Sequence, residues 1–513
     1  MSVLAVFCIN TCWISASDPP DRKRASLRQK EEALVHEILA PLRNAGVLSD
    51  APSGPQPEPL CDVSGYAKRV RTEHFTEIWP DAHGKERGVA VKAEIWTDAI
   101  QAALNEHAGV TIPQRDRPYY IDRPLILRSG HRLLVGPNAE IRLKPGSNCC
   151  MVRNEHVVNG EHGPVTLTDD ADHDIVIRGG IWTTLATSGR QSNGNTRGLA
   201  DPKGSIKSHG VILLSNITRF RVASVTVRQC KPHGIQLSNC TQFCVEGVRF
   251  EDHRRDGVHI NGPAGYGVIR DVRVQRGVMG DDMVALNAWD WKNTVTSFGL
   301  IHHVLVEDIH GDPVMDGASG APKGHRSEIR LLAGTKHFGG SKTLDCNIEH
   351  CVIRKTTGIR TFKMYDQPNL ELGRHRDFAD PIGRMRNLFF ADITIGRPTG
   401  AEIFQIHSNV SGMAIRNVTL GFDPNPPGGK PFTLVRIGPL SMTYKHNPRD
   451  PKTWVEVFSP NKDCVVEGLS ITGVRAQGKD ANPDTLVHVI KQHVNKDYPR
   501  STPRGGTGKG ILK

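Results

Sequence analysis

The chain has 513 residues, of which 23% are charged and 51 are glycine, and this composition does not indicate disorder. Its net charge of +11 and pI near 9.1 predict a basic surface, which either attracts polyanions or is simply solvated without a partner, and both readings stay open. No block of basic residues and no basic amphipathic helix stands out, so nucleic acid is not a predicted partner. No stretch approaches 18 apolar residues in a row, so no membrane span is predicted.

The N-terminal region is predicted to flank the main domain. Residues 1–17 are mostly apolar and end in a small-residue site, but they lack the basic start of a signal peptide, so an export signal and an ordinary N-terminus both stay open. Residues 18–60 contain apolar positions at helical spacing over Ala25–Ala45, followed by a proline-rich linker. A second, short helix is predicted over Trp96–Leu104.

From about residue 170 a pair of short strands with alternating apolar residues recurs along the chain. Val225, Val248 and Val272 hold equivalent positions in successive repeats, 23 and 24 residues apart. A repeat of that length, built from β-branched strands with no helix between them, is typical of a solenoid. The predicted fold is therefore all-β, a single-stranded right-handed parallel β-helix over residues 61–480, with a short N-terminal helical segment and a polar C-terminal tail over residues 481–513.

The eleven cysteines show no spacing typical of metal ligands. Five of them fall inside the strand repeats, where a thiol usually acts as a small apolar core residue. We therefore predict no metal site at the cysteines. The five that we expect to be buried thiols are Cys230, Cys240, Cys244, Cys346 and Cys351.

A column of carboxylates is predicted on one face of the solenoid. Successive coils stack about 4.8 Å apart, so equivalent positions lie side by side. The second strands of five repeats align as Gly234–Leu237, Gly257–Ile260, Met283–Leu286, Glu328–Leu331 and Gly358–Thr361. This alignment places Asp256 on one coil beside Asp281 and Asp282 on the next.

Carboxylates this close raise one another's pKa, so one can keep its proton while another is ionised. Glycoside hydrolysis needs this division, because an acid protonates the leaving oxygen and a base activates water. Asp256 or Asp281 alone would be read as a turn residue, but Asp-Gly followed by Gly-Asp-Asp one coil later favours a catalytic site. The predicted catalytic residues are Asp256, Asp281 and Asp282.

Two segments, Arg255–Ile260 and Gly280–Asn287, resemble the polygalacturonase-like glycoside hydrolases, and Ile177–Trp182 is similar to an early coil of that family. The resemblance covers roughly residues 90–475. It implies inversion of configuration, with Asp281 as general acid while Asp256 and Asp282 hold and deprotonate the attacking water. The family's Asn-Thr before the first Asp is absent here, and so is its Gly-His-Gly element in the expected place.

The resemblance also implies that Arg360 and Lys363 match the family's Arg-x-Lys element and bind a substrate carboxylate or the sugar. Two tryptophans of the loop after the Asp-Asp coil either stack on sugar rings or pin the loop, and both readings stay open. His259 either contacts substrate or is an exposed surface residue. The residues predicted to bind substrate are His233, His259, Trp289, Trp291, His325, Arg326, Arg330, Arg360 and Lys363.

The predicted function is hydrolysis of a polysaccharide, uronate-containing in view of the basic charge balance, by a secreted or periplasmic enzyme that needs no cofactor. The first alternative is a β-helix lyase or epimerase with a base among Arg330, Arg360 and Lys363, and with Ca²⁺ held by the Asp cluster. The second is a glycan-binding β-helix without catalysis. The gathered carboxylates argue against the second, because a binder gains little from charges that repel one another.

Overall fold

The structure, a computed structural model, is the right-handed parallel β-helix that the repeats predict. It describes residues 20–49, 59–80, 85–157, 167–185, 210–290, 297–311, 326–337, 343–367, 383–397, 402–429, 431–438, 442–446, 454–458, 463–490, 493–494, 507–508 and 510–513. Within these residues, no helix is long and apolar enough to cross a membrane.

Among the described residues, two α-helices and two short 3₁₀ helices accompany the strands. The helices are α1 (Pro20–Asn44), α2 (Thr97–Glu106) and the 3₁₀ helices Val63–Arg69 and Pro483–Leu486. The first half of the strands comprises β1 (Cys61–Asp62), β2 (Arg71–Pro80), β3 (Glu86–Ile95), β4 (Gly109–Ile112), β5 (Tyr119–Ile121), β6 (Leu125–Leu127), β7 (Arg132–Leu143), β8 (Val152–Asn154), β9 (Asp172–Thr183), β10 (Gly210–Ala223), β11 (Thr226–Arg228), β12 (His233–His253), β13 (Val258–Met279), β14 (Asp282–Asn287) and β15 (Ile301–His310). The second half comprises β16 (Glu328–His337), β17 (Thr343–Cys346), β18 (Ile348–Thr357), β19 (Phe362–Gln367), β20 (Met385–Ile395), β21 (Phe404–Ile406), β22 (Val410–Leu420), β23 (Val435–Ile437), β24 (Met442–His446), β25 (Trp454–Phe458), β26 (Cys464–Ala476), β27 (Lys479–Asp480), β28 (Val487–Val489), β29 (His493–Val494), β30 (Thr507–Gly508) and β31 (Gly510–Leu512).

The coils stack through parallel pairing in the register that the apolar pattern predicts. In the pairing of β12 with β13, Val248 lies opposite Val272, as the repeat spacing requires. Further along, Val258 of β13 lies opposite Val284 of β14, and Val284 lies opposite Ile329 of β16. These side chains are fully buried and form the core of the solenoid, because residues of one parity point inward in every coil.

The next coil differs from the prediction by three residues. Ile359 and Thr361 are predicted to lie opposite Ile329 and Leu331, but β16 pairs with β19 so that Phe362 and Met364 hold those places. The predicted strand Gly358–Thr361 is wrong because β18 continues to Thr357 and the next four residues are needed to turn the corner. Phe362 then fills the core, where its ring stacks on that of Phe404 at 4.7 Å between centroids.

Helix α1 covers an apolar stripe on the outside of the solenoid. Cys244, Val268, Leu305 and Val352 stand opposite one another on successive coils and point away from the core, and the apolar face of α1 packs on them. On the same helix Glu31 is fully buried and forms an ion pair with Arg416. The helix predicted over Ala25–Ala45 is therefore part of the packed structure, and it flanks the coils along their side.

Two further local predictions are confirmed, whereas residues 1–17 and most of the proline-rich linker lie outside the described residues. Helix α2 covers most of the stretch predicted over Trp96–Leu104 and ends two residues later. The five cysteines predicted to be buried thiols are buried, and they are not in disulfides. Burial raises the pKa of the Cys230 thiol to about 12, so this group is chemically inert at neutral pH.

Candidate active site

Asp256 and Asp282 are brought together by the backbone of two neighbouring coils. The amide of Gly257 donates to the carbonyl of Asp282 at 2.8 Å, and the amide of Gly234 donates to the carbonyl of Asp256 at 2.9 Å. A Cβ at position 257 would lie 2.7 Å from the Phe250 ring and 2.8 Å from the Met283 carbonyl oxygen. Glycine is therefore needed after Asp256, because only a residue without a side chain lets the coils approach this closely.

The three predicted carboxylates form one cluster. Asp256, Asp281 and Asp282 each have an oxygen within 4.8 Å of an oxygen of the others. Asp256 and Asp282 are buried, each 1% exposed, whereas the Asp281 side chain is 23% exposed. Asp281 is therefore the member of the cluster with the most direct access to a bound molecule.

Arg330 is the cation that joins the two buried carboxylates. Its Nη2 lies 2.6 Å from Asp256 Oδ2 and 2.6 Å from Asp282 Oδ2. The contact with Asp256 has hydrogen-bond geometry, whereas the contact with Asp282 is an ion pair without it. Among the described residues, Asp256 Oδ1 has no hydrogen-bond partner either. Two neighbouring buried acceptors thus lack donors, and such groups usually bind water or carry a proton.

The environments of the three carboxyls push their pKa values apart. Burial alone would raise the pKa of Asp256, but Arg330, His233 and His259 outweigh it and hold this pKa well below its usual range. Burial and the charges of its two neighbours raise the pKa of Asp282 well above the usual range. Burial and the charge of Asp256 also raise the pKa of Asp281. One carboxyl with a lowered pKa therefore stands beside two carboxyls with raised pKa values.

A buried histidine connects Asp256 to a fourth carboxylate, Asp290, which sequence reasoning missed. His259 places Nδ1 2.6 Å from Asp256 Oδ2 and Nε2 2.9 Å from Asp290 Oδ2. Burial opposes a charge on His259, but the bonds to the two carboxylates outweigh it and raise its pKa to about 9. The only signal in the sequence was the position of Asp290 between two tryptophans, and that pattern suggests a role for the rings and not for the carboxylate.

Two of the three predicted histidines are buried inside this network. His233 and His259 are each 1% exposed, and their rings stack at 4.1 Å with an angle of 15°. His233 Nε2 lies 3.8 Å from Asp256 Oδ2. The alternative of His259 as an exposed surface residue is wrong, because it lies beneath the chain that follows β14. Contact of either ring with substrate stays a prediction.

The aromatic wall predicted for a substrate cleft is not formed by Trp289. This residue is 2% exposed and packs in the core with Phe298, at 6.4 Å between ring centroids. Its amide donates to the Leu332 carbonyl at 3.3 Å, so the structure favours the reading in which it pins the loop. Trp291 and His325 lie outside the described residues.

Two cations are available on the outer side of the cluster. The Arg326 side chain is 53% exposed and its Nη1 lies 3.5 Å from Asp281 Oδ1. Lys363 stands in register with Arg330, forms an ion pair with Glu328 and is 27% exposed. Arg360 was predicted to align with Arg330, but it lies in the turn before β19, where its amide donates to the Ser327 carbonyl at 3.0 Å. Because the register is shifted by three residues, Lys363 lies opposite Arg330, at the position predicted for Arg360.

The cluster is a poor fit for a metal ion, although its spacing would allow one. Asp256, Asp281 and Asp282 have oxygens within 4.8 Å of one another, and so do the ligand atoms of His233, Asp256 and His259. Calcium binds through oxygens at about 2.3–2.6 Å and would have to bridge the carboxylates. That bridging place between Asp256 and Asp282 is taken by the guanidinium of Arg330, and the Asp256 oxygen facing His259 accepts a hydrogen bond from its ring.

No family model and no curated protein sequence matches the chain. Similar solved structures include a hyperthermoactive exopolygalacturonase from Thermotoga maritima, at 11% identity over 94% of this chain and 96% of that one, with a TM-score of 0.48. The mannuronan C-5 epimerase AlgE4 A-module from Azotobacter vinelandii matches at 12% identity over 82% and 98%, with a TM-score of 0.39. The surface adhesin PfbA of Streptococcus pneumoniae matches at 12% identity over 88% and 100%, with a TM-score of 0.36.

The resemblance to polygalacturonase-like β-helix proteins is confirmed as far as the fold, which the strand pairing also establishes independently. Similarity at this level does not select among a hydrolase, an epimerase and an adhesin. The function therefore depends on the residues of the site.

Proposed function

We propose that the protein is a glycoside hydrolase that cleaves a polysaccharide bearing carboxylate groups. The observation that carries the proposal is the cluster of Asp256, Asp281 and Asp282, whose oxygens lie within 4.8 Å of one another and whose pKa values move in opposite directions. Opposite shifts within one cluster are how a protein makes an acid and a base at the same pH. A purely structural ion pair needs no third carboxyl that is partly exposed.

In the proposed reaction, Asp281 is the general acid. Its raised pKa keeps the proton, and its exposed part gives that proton to the glycosidic oxygen as the bond from the anomeric carbon to this oxygen breaks. A water molecule then bonds to the anomeric carbon and loses a proton to Asp256, the carboxylate held in its ionised form. Asp282 and Arg330 hold this water and the charge of Asp256 in place.

Water is the proposed nucleophile because Asp256 and Asp282 are too buried to bond to a sugar themselves. The expected course is inversion, as the family resemblance implies. The carboxyl oxygens lie closer than the spacing of about 6.5–9.5 Å typical of inverting enzymes, so the course needs its own measurement. The anomeric configuration of the first product, followed by NMR, will show inversion if water attacks and retention if a carboxylate does.

The substrate class follows from charge. Arg326 extends into solvent beside Asp281, Lys363 is partly exposed in the same column, and the whole chain carries a net charge of +11. Guanidinium and ammonium groups of these two side chains would bind uronate carboxylates of the polymer. A neutral glucan would offer no carboxylate to these cations.

The test is a panel of acidic and neutral polysaccharides, with detection of new reducing ends. We expect cleavage of an acidic polymer by the native protein and a loss of at least about 10²-fold for Asp281→Asn. Asp271→Asn, which changes a carboxylate that is 34% exposed and lies on another strand segment, is the matched control and is expected to leave turnover unchanged. Equal rates for both variants would contradict the proposal.

A glycan-binding β-helix without catalysis is the second candidate, and the burial of Asp256 and Asp282 is the observation that favours it. It predicts binding to a glycan with no new reducing ends, and binding that survives Asp281→Asn. A lyase or epimerase is less favoured because Arg330 occupies the place of a bridging Ca²⁺. An ultraviolet-absorbing unsaturated product, or loss of turnover with a chelator, would support that alternative instead.

A further inference from the structure

Asp290 is a buried carboxylate that the proposed reaction does not use. It follows β14, is 2% exposed and accepts a hydrogen bond from Asn287 Nδ2 at 2.8 Å. The neighbouring Trp289 is anchored in the core, so the chain that leads into Asp290 is held in place. A buried carboxylate in a fixed position needs a partner of opposite charge, since an isolated buried charge is strongly unfavourable.

That partner is His259, which faces a carboxylate at each ring nitrogen. Nε2 lies 2.9 Å from Asp290 Oδ2, and Nδ1 lies 2.6 Å from Asp256 Oδ2. A neutral imidazole has one N–H and can donate to only one of them, whereas an imidazolium donates to both. The amide Nδ2 of Asn261 lies 3.2 Å from Nε2 of the ring and 3.4 Å from Asp290 Oδ2. It can therefore donate to Asp290 when Nε2 carries a proton, and to the ring when Nε2 does not.

The other groups around the ring would disfavour a charge if Asp290 were absent. His233 stacks on the ring at 4.1 Å, and Arg255 donates to His233 Nε2 at 3.4 Å. Arg330 lies on the far side of Asp256, at 2.6 Å from the same oxygen that accepts from the ring. Because Asp256 is already shared with Arg330, Asp290 is the carboxylate that balances the charge of the imidazolium.

We propose that Asp290 is a positioning residue, which holds His259 as an imidazolium and through it fixes the orientation and charge of Asp256. In this arrangement one oxygen of Asp256 accepts from His259 and Arg330. The other oxygen, Oδ1, is left for the water that attacks. The role assigned to Asp256 rests on the proposed function, but the bridge from Asp290 to His259 does not.

The experiment is an NMR titration of the intact protein with ¹³C-labelled histidine. The chain has 23 histidines, and His259→Gln identifies the signal by its disappearance. We expect the His259 signal to titrate near pH 9 in the native protein, and roughly 1–3 pH units lower in Asp290→Asn. Asp290→Glu, which keeps the charge, should restore most of the shift. Asp271→Asn serves as the control and should leave the signal in place.

An unchanged titration of His259 in folded Asp290→Asn would overturn the proposal. Should that variant fail to fold, Asn287→Ala removes the hydrogen bond that orients Asp290 and keeps the carboxylate. It is expected to lower the titration point in the same direction by a smaller amount, and no shift would again overturn the proposal.

Turnover separates the bridge from the proposed function. On a polysaccharide that the native protein cleaves, Asp290→Asn should lower kcat with KM nearly unchanged, and the alkaline limb of the pH profile should move with the His259 titration. A titration shift without any turnover on the panel would support the bridge and contradict the hydrolase. Unchanged kcat and pH profile, with cleavage intact, would contradict the positioning role.

Discussion

Raising the pH from 6.5 to 9 is expected to destabilise the folded chain through His259. Its pKa rises from 6.5 to about 9 on folding, so the folded state binds its proton more tightly than the unfolded state. The resulting stability is fully present below pH 6.5 and is lost as the pH rises through about 9. At about 1.4 kcal/mol per pKa unit, the shift corresponds to a loss of roughly 3 kcal/mol.

Other titrating groups can be separated from this effect. Burial lowers the pKa of His253 to about 4, and it also lowers the pKa values of His131, His302 and His350, so these histidines change stability only below about pH 6.5. The raised pKa of Asp282 changes stability with pH in the same direction as the raised pKa of His259, so a variant is needed to isolate the contribution of the histidine.

The measurement is urea unfolding at closely spaced pH values for the native protein and His259→Gln. The variant should be less stable at pH 6.5, since two buried carboxylates lose their partner, but its stability should fall less between pH 6.5 and 9 by roughly 3 kcal/mol. The same fall in both proteins would refute the assignment of an imidazolium at this position.

Three substitutions test the contacts that build the site and the fold. Arg330→Met should cost about 3–5 kcal/mol in urea unfolding, because it removes the cation that buried Asp256 and Asp282 share. A loss no larger than that of the exposed control Arg273→Met would contradict this. Glu31→Ala should cost about 3 kcal/mol, because it removes from α1 the buried carboxylate that pairs with Arg416. Hydrogen exchange should become faster in this helix. Unchanged exchange would show that the ion pair does not hold the helix in place. Gly257→Ala should cost about 1–3 kcal/mol, because its Cβ meets the Phe250 ring at 2.7 Å, and a variant as stable as the native protein would show that the coils can separate there without cost.

The fold could be predicted because a parallel β-helix repeats one local pattern. The alternation of apolar residues sets the inward parity of each strand, and the spacing of Val248 and Val272 sets the coil length. The prediction was wrong where two alternating stretches compete, at Ile359–Thr361 and at Phe362–Met364. Which stretch enters the core depends on how far β18 extends and on the space that a phenylalanine ring can fill, and neither is visible in a pattern of polar and apolar residues.

The candidate site was predictable only as far as it follows the stacking. Asp256 and Asp282 lie at positions that the register of adjacent coils brings together, so their proximity followed from the strands. Asp290 comes from the chain beyond a strand, and its place above His259 depends on a turn that no repeat determines. The burial of Trp289 likewise depends on tertiary packing, because an aromatic residue in a loop can equally face solvent or core.

The central claim is that Asp281 is the acid that protonates the leaving oxygen, and one comparison of substrates tests it most directly. Turnover of Asp281→Asn is compared on the polysaccharide and on an oligosaccharide of the same sugar with a nitrophenyl leaving group, which departs without a proton. We expect a loss of about 10²–10⁴-fold on the polysaccharide and a much smaller loss on the nitrophenyl compound. Equal losses on both substrates would contradict the assignment of Asp281 as general acid.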